Sequence, residues 1–592
     1  MVLGKTGRVC RRRPLRPQFI YWGFFFIFIL MLYRFIFFLF VFQSFSQEIT
    51  FSHNYKIQEL SNIGSPTILY FPNFSFNNKL KINYNVKGSR LVENHEDNLL
   101  YDLNILPNFN LSSQIKYISA YNEGGLIMCN LSRPVSRKSF LNFYYNNLSS
   151  LGFFQNQENK FSNLGFDFYS FNKDSSYIFL FSFNSINGFY EENGGVQSID
   201  SDLSNDLMLT YLSSARIENK IRKFSFNQIF KIDSNNSIIH NFKYNSYSRR
   251  YTDPNPESFH YSLTPLDYKI LNFSSHNYFN DIENSLTFSS NFFFNKKIDY
   301  SLTHSLYYHE LIRNKNNGDF IFSISNFNNT FSNVNFSLSF CPSGYNKSNY
   351  DFRLSYKFDQ NDLFKSNFYI TLNKQKPDLF SESYDTGLTT DWENDFNSTN
   401  TFSFNFDNHT RKYDFDIKFT FKKISNLLYF NSIAAPVQFT ESLNYFHFHL
   451  SKKWSFNKLK ISQNIHFQKI NQDNYHDIDV LSVPFFFYNQ MFLYSFYLFK
   501  TNFTSSIDLN YFSKYFANAY MPINGVFYNQ NQSKVGNIPI LNASLFMMKN
   551  KFKIGVLIEN IHSLFYDKQY IITDYLYNDL VFRLSVNWEF VD

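Results

Sequence analysis

The sequence predicts an all-β chain: a transmembrane antiparallel β-barrel of about 16–22 strands, nearest 18, behind an N-terminal signal peptide. Three observations carry that expectation. The first is the last strand-like segment, residues 579–590. There Phe582, Leu584, Val586, Trp588 and Phe590 alternate with Val581, Arg583, Ser585, Asn587 and Glu589. Successive side chains of a strand point to opposite faces, so this segment has one greasy and one mostly polar face. The second is composition. Aromatic residues make up 21% of the chain, with 78 Phe and 43 Tyr, yet mean hydropathy is only −0.33. A helical membrane protein would instead show several unbroken apolar runs of about 20 residues. The third is segment length. Many alternating stretches run to about 9–14 residues, enough to cross a bilayer at a tilt, whereas a soluble sheet uses strands of about five or six.

Residues 1–46 read as a targeting segment. Phe19 to Phe42 is almost wholly apolar, broken by Arg34. Met31-Leu-Tyr-Arg34 supplies a short basic start, Phe35 to Phe42 an apolar core, and Ser44-Phe45-Ser46 the small residues before a cut. Cleavage is expected between Ser46 and Gln47, with Met31 the true start and residues 1–30 an upstream extension. A retained helical anchor is the alternative. Residues 47–110 are weakly patterned and read as a leader; residues 111–592 read as the barrel.

Within 111–592 the alternation recurs. Val334, Phe336, Leu338 and Phe340 share a face against Asn and Ser. Tyr350, Phe352, Leu354, Tyr356 and Phe358 alternate with Asp351, Arg353, Ser355 and Lys357. Phe402, Phe404 and Phe406 reach a turn expected at 408–410. The return strand carries Tyr413, Phe415, Ile417, Phe419 and Phe421 against Lys412, Asp414, Asp416, Lys418 and Thr420. Short turns are expected near 172–175, 234–237, 295–297, 328–330, 455–457 and 549–551. Longer loops are expected near 185–214, 251–283, 375–399, 424–437, 515–537 and 562–579. Short turns at one end and long loops at the other are the habit of outer-membrane barrels.

Charge excludes one class of partner. The formal net charge is +7, but Lys5, Arg8, Arg11, Arg12, Arg13, Arg16 and Arg34 all lie in the targeting segment. Taking those seven from 55 basic residues leaves 48, matching 48 acidic ones. A nucleic-acid reading has no support from so balanced a chain. Site chemistry is equally sparse. There is no phosphate-cradling loop, no pair of CxxC motifs and no HExxH. His447 and His449, two apart on a polar strand face, could chelate a metal but read as solvated lumen histidines. Glu191-Glu192-Asn193-Gly194-Gly195 with Asp200 and Asp202 lacks the ligand spacing of an EF-hand and reads as a solvated loop. Cys129 and Cys341 read as unpaired. Neither a catalytic residue nor a cofactor is expected.

Several strings together resemble the putative β-barrel porins of Bacteroidota. They are Asn187-Gly-Phe-Tyr-Glu-Glu-Asn-Gly-Gly195, Tyr515-Phe-Ala-Asn-Ala-Tyr-Met-Pro522 with Phe527-Tyr528 and Gly536-Asn-Ile-Pro539, and the closing Val581 to Phe590. The resemblance implies an outer-membrane barrel for passive passage of small solutes, and it brings no catalytic residues. Candidate pore-lining residues, read from the polar strand faces, are Arg353, Lys357, Asp414, Asp416, Lys418, Arg583 and Glu589. Expected partners are outer-membrane lipid, small solutes and the barrel-assembly machinery, with a homo-oligomer left open. A specific transporter, a surface-binding or structural barrel, and a barrel lipid hydrolase are the rival readings. Residues 47–110 are too few for a full globular plug. The tail departs from the usual pattern, since Phe590 is followed by Val591-Asp592.

Overall fold

A computed structural model describes residues 112–590, apart from 120–123, 201, 256–272, 294–295, 310–317, 327–332, 361–362, 385–391 and 473–479. The expected signal segment, its expected cleavage point, the expected leader 47–110 and residues 591–592 lie outside the described residues. Among those described, no helix is long and apolar enough to cross a membrane.

The chain closes into one sheet of 22 strands, every neighbour antiparallel. The first seven are β1 Ser112–Ser119, β2 Gly124–Ser136, β3 Ser139–Ser150, β4 Asn159–Phe171, β5 Tyr177–Glu192, β6 Ala215–Lys231 and β7 Asn236–Asp253. Next come β8 Phe273–Phe293, β9 Lys296–His309, β10 Gly318–Ser325, β11 Val334–Ser343, β12 Tyr350–Gln360 and β13 Phe364–Gln375. Then follow β14 Thr399–Thr410, β15 Phe415–Phe430, β16 Pro436–Phe456, β17 Leu459–Asn471 and β18 Phe486–Leu498. The last four are β19 Thr501–Phe512, β20 Pro539–Lys549, β21 Phe552–Glu559 and β22 Val581–Phe590. Each pairs with the next in sequence, and β22 returns to β1 with Trp588 opposite Ile115 and Ser585 opposite Ile118. Closure leaves no unpaired strand edge, the condition under which a sheet can sit in hydrocarbon.

Alternation fixes which face is which. Along β22, Phe582, Leu584 and Trp588 are exposed outward while Arg583, Ser585 and Asn587 are buried toward the lumen. The same parity puts Phe322, Leu338, Phe358 and Leu286 outside. A one-residue slip would reverse every such pair, so this pattern holds the register. Neighbouring rings add contacts: Phe226 and Phe242 stack across β6 and β7 with centroids 5.1 Å apart. Where a large lumen ring must lie flat on the wall, the opposite residue is glycine. A Cβ at Gly555 would sit 2.1 Å from the Phe546 ring.

The two ends of the barrel differ. Ser112 and Phe590 lie at the end with tight turns, such as those at 137–138, 457–458, 499–500 and 550–551. Left-handed residues close several of them, including Asn457 (φ 48°), Phe499 (φ 47°), Lys500 (φ 56°) and Asn550 (φ 54°). The opposite end carries the long segments 193–214, 376–398, 513–538 and 560–580.

Several expectations are refined or corrected, among them the loop expected over 251–283, of which 273–283 is strand. The count of 22 is the top of the expected 16–22 and above the figure nearest 18; tight turns at 137–138 and 499–500, with no Gly or Pro to announce them, are part of the difference. The turn expected at 408–410 falls at Arg411–Tyr413 and Asp414, since β14 runs on to Thr410. Tyr413 therefore belongs to the turn rather than to the return strand. The loop expected over 424–437 is mostly strand: β15 reaches Phe430, a bulge near Asn426 takes up one residue, and a short turn precedes Pro436.

Candidate functional site: a lumen crossed by an inward hairpin

The lumen wall is built from the polar half of each strand. Several of its charges stand in pairs. Arg353 donates from Nε and Nη2 to the two carboxylate oxygens of Asp351, both at 2.8 Å. Lys243 Nζ lies 3.4 Å from Glu283, and His409 Nδ1 lies 2.8 Å from Asp416. Amides and hydroxyls fill the remainder, as where Asn489 donates to both Asp508 and Asn510 at 2.9 Å. The wall thus offers many hydrogen-bonding groups.

Against β16 and β17 stands a buried stack of imidazoles. His449 and His466 lie 4.2 Å apart at 11°, and His447 and His466 5.3 Å apart at 6°. His447 Nε2 and His466 Nδ1 also share a hydrogen bond at 3.1 Å, so these two ring nitrogens are taken up by each other. No metal-holding cluster occurs among the described residues. These histidines are 6–8% exposed and are therefore not the solvated groups the sequence suggested.

The dominant feature is the segment between β19 and β20. It folds inward as a hairpin, Ala519–Met521 paired with Val526–Tyr528. Its tip carries Ile523, fully buried in an apolar cluster with Ile118, Ile186, Ile217, Ile221 and Tyr251 from the lumen faces of β1, β5, β6 and β7. Arg249, on the lumen face of β7, grips the tip: its guanidinium donates to the carbonyl of Ile523 at 2.7 Å and also to that of Pro522. Gly525 (φ 72°) permits this approach, since a Cβ there would lie 3.1 Å from the guanidinium carbon. β7 stands nearly half way round the sheet from β19 and β20. The hairpin is thus a bar across the lumen. Its other flank is fastened too, with Asn529 N–H donating to Phe430 O at 2.9 Å and Val526 packed among Phe380, Tyr384 and Ala434.

Further segments pack onto the bar. Tyr515, Tyr520, Ile572, Tyr575 and Tyr577 form one cluster, and Phe153, Phe154, Val196, Met208 and Leu576 another. Burial raises the Tyr575 and Tyr577 phenols well above their ordinary range and raises the Asp574 carboxyl. It also pushes the His562 imidazole, set edge-on to Tyr577, down to about 4. The acidic-glycine stretch joins this layer rather than forming a solvated loop. Glu192 ends β5, and Asn193, Gly194 and Gly195 are buried, the last against Asp574.

The nominated lining residues separate into groups. Arg353, Lys357, Asp416 and Lys418 stand on the lumen faces of β12 and β15, with Lys418 opposite Asp407. Glu589 stands on the lumen face of β22, 3.5 Å from Gln114 Nε2. Asp414 lies in the turn, with φ 46°. Arg583 is on the lumen side but fully buried, donating from Nε to Glu559 at 2.9 Å and from Nη1 to Ser119 O at 3.2 Å. It clasps β21, β22 and β1 together at the closure. Sequence reasoning passed over Arg249 and the inward hairpin. The available signal was the apolar run Tyr515–Tyr528, too greasy for a loop in water.

Solved structures with a similar fold include the following three. The ferric-catecholate import receptor Fiu from E. coli K12 matches with TM-score 0.58 and 9% identity, covering 82% of each chain. A double mutant of the ferric enterobactin receptor PfeA from Pseudomonas aeruginosa gives 0.59 and 10%, covering 82% of this chain and 81% of that one. The FrpB iron transporter from Neisseria meningitidis gives 0.57 and 10%, covering 83% of each. At such identities the likeness is one of fold. No curated protein matches the sequence. The model of the family described as "putative porin" matches residues 41–592, and the chain belongs to that family.

Proposed function

We propose that the protein passes small solutes across the outer membrane through its lumen, and that passage is selective rather than free. The observation that carries the second half is the hairpin 519–528, seated against the far wall by Arg249 and Ile523. A wide barrel with an empty lumen would sieve by size alone, whereas a bar lined by amides, phenols and paired charges sets both aperture and contacts. Porin family membership and the likeness to receptor barrels support outer-membrane placement. In that placement the tight turns and both chain ends lie on the periplasmic side. No catalytic step is part of this reading.

Planar-bilayer recording of the whole protein tests it, beside a variant in which residues 519–528 are replaced by a Gly-Ser linker of equal length. The native protein should give small steps and the variant several-fold larger ones, with liposome swelling extended to larger sugars. Equal, large steps from both would mean that the hairpin bars nothing. Silence from both, with the barrel folded, would favour the surface-binding reading.

A further inference from the structure

The outward surface carries a feature that a lipid-facing wall does not need. Gln228 on β6 is paired in register with His240 on β7, and Asn284 on β8 with His304 on β9. By strand parity all four point outward, on the same face as Leu286 and Leu302. Each is flanked along its own strand by apolar outward residues: Phe226 and Phe230, Ile238 and Phe242, Ile282 and Leu286, Leu302 and Leu306. The island therefore lies within the apolar band rather than at its rim. Among the described residues one internal hydrogen bond serves it, His240 Nε2 to Asn284 Oδ1 at 2.8 Å. His304 makes a ring contact with Phe320 at 4.6 Å, and no hydrogen bond from the side chains of Gln228 or His304 occurs among the described residues. Hydrocarbon cannot supply the missing partners, so polar groups at such depth face protein or pair with one another.

Beside the island the wall is concave. An apolar hollow of about 540 Å³ is lined by Leu286, Phe288, Tyr300, Leu302, Phe322 and Phe340, on β8 to β11. The exterior of a barrel is otherwise convex, and a hollow is what a protruding side chain of a neighbour fills.

We propose that this face, β6 to β11, is where a second copy of the chain docks within the membrane. Carboxamides and imidazoles each carry donor and acceptor, so the island can satisfy an identical island. All four residues lie in adjoining rows at one depth. A two-fold axis along the membrane normal would bring the patch against itself, the geometry of an isologous dimer. Six strands spaced about 4.8 Å apart, over an apolar band about 25 Å tall, offer roughly 700 Å² a side. That is close to the roughly 800 Å² per partner of an ordinary stable interface.

The opposite side of the barrel supplies the comparison. Gln463 and Gln490 also point outward there, but Trp454 Nε1 donates to Gln463 at 3.2 Å, Gln463 donates to the Tyr488 hydroxyl at 3.4 Å, and that hydroxyl donates to Gln490 at 2.6 Å. Both carboxamide oxygens and the Gln463 amide nitrogen thus find partners within one chain.

The test is site-directed crosslinking in outer-membrane vesicles and mass measurement in lipid nanodiscs, in a Cys129→Ser background. Gln228→Cys and His304→Cys should crosslink to a species of twice the monomer mass, and Gln463→Cys should not. The variant Gln228→Leu/His240→Phe/Asn284→Leu/His304→Leu should run as a monomer while keeping heat-modifiable mobility and unchanged single-channel steps. A monomeric wild type in nanodiscs would overturn the proposal. So would dimer bands of equal yield from all three cysteines, or crosslinks from this face to a different polypeptide.

Discussion

Replacing Arg583 by methionine tests whether the barrel is closed by a buried ion pair. Both partners are essentially out of solvent, Arg583 at 0% and Glu559 at 1% side-chain exposure, with Nε and Oε2 2.9 Å apart. Arg583→Met keeps most of the side-chain bulk but leaves the Glu559 carboxylate buried without its cation. Removing one member of such a pair typically costs about 3–5 kcal/mol, most of it the penalty on the charge left behind. The lost bond to Ser119 O adds about 1 kcal/mol. The clasp spans β21, β22 and β1, so the loss falls on the step that closes the sheet. Urea titration in lipid vesicles, read by heat-modifiable mobility and Trp emission, should place the variant about 4 kcal/mol below wild type. Arg583→Met/Glu559→Gln removes both charges and should recover more than half of that loss. A single variant within about 1 kcal/mol of wild type, or a double variant no better than the single, would refute the reasoning.

Ile417→Arg places a cation on the outward face of β15 and should cost about 2–4 kcal/mol in the same titration, while Asp416→Ala on the lumen face should fold normally. The reverse outcome would mean that the register is off by one. For His562 the folded form holds the imidazole down to about 4 against an ordinary value near 6.5, so protonation favours the unfolded loop. The stability it contributes is full above about pH 6.5 and is lost as pH falls toward 4. Protease nicking within 560–580 should rise between pH 7.5 and pH 5, and His562→Phe should flatten that rise. Mass spectrometry of the protein extracted from membranes should find Gln47 at the mature N-terminus; recovery of residues 19–42 would refute cleavage there.

How far the sequence foretold the structure depends on what each element had to satisfy. Strand faces were legible because a two-residue period and an apolar environment on one side leave little freedom. β12, β15 and β22 carry their outward Phe, Tyr, Leu and Ile at the alternate positions read from sequence. Turns were legible only where local chemistry announced them. At 172–176, Asn172 and Asp174 accept from the backbone N–H groups of Tyr177 and Ser176, an arrangement their residue types suggest. At Phe499-Lys500 two non-glycine residues take positive φ instead, and no local preference for that exists. A turn of that kind goes uncounted in sequence.

The bar across the lumen was illegible for a different reason. Its chain location, between two strands at the long-loop end, was clear, but alternation describes walls and says nothing about what a loop does once it leaves them. The segment 515–528 is apolar because it has a core of its own to join, made of Ile118, Ile186, Ile217 and Tyr251. In each of those strands an apolar residue occupies a lumen position where the pattern calls for a polar one. Read singly, such residues look like noise in a polar face. Placed in register across β1, β5, β6 and β7, they form one patch, and Arg249 beside it is a charge that such a patch would exclude unless something polar met it. The carbonyls of Pro522 and Ile523 are what it meets. Departures from alternation that cluster in register thus mark where the wall is covered from within, and in this chain they coincide with the place where passage would be decided.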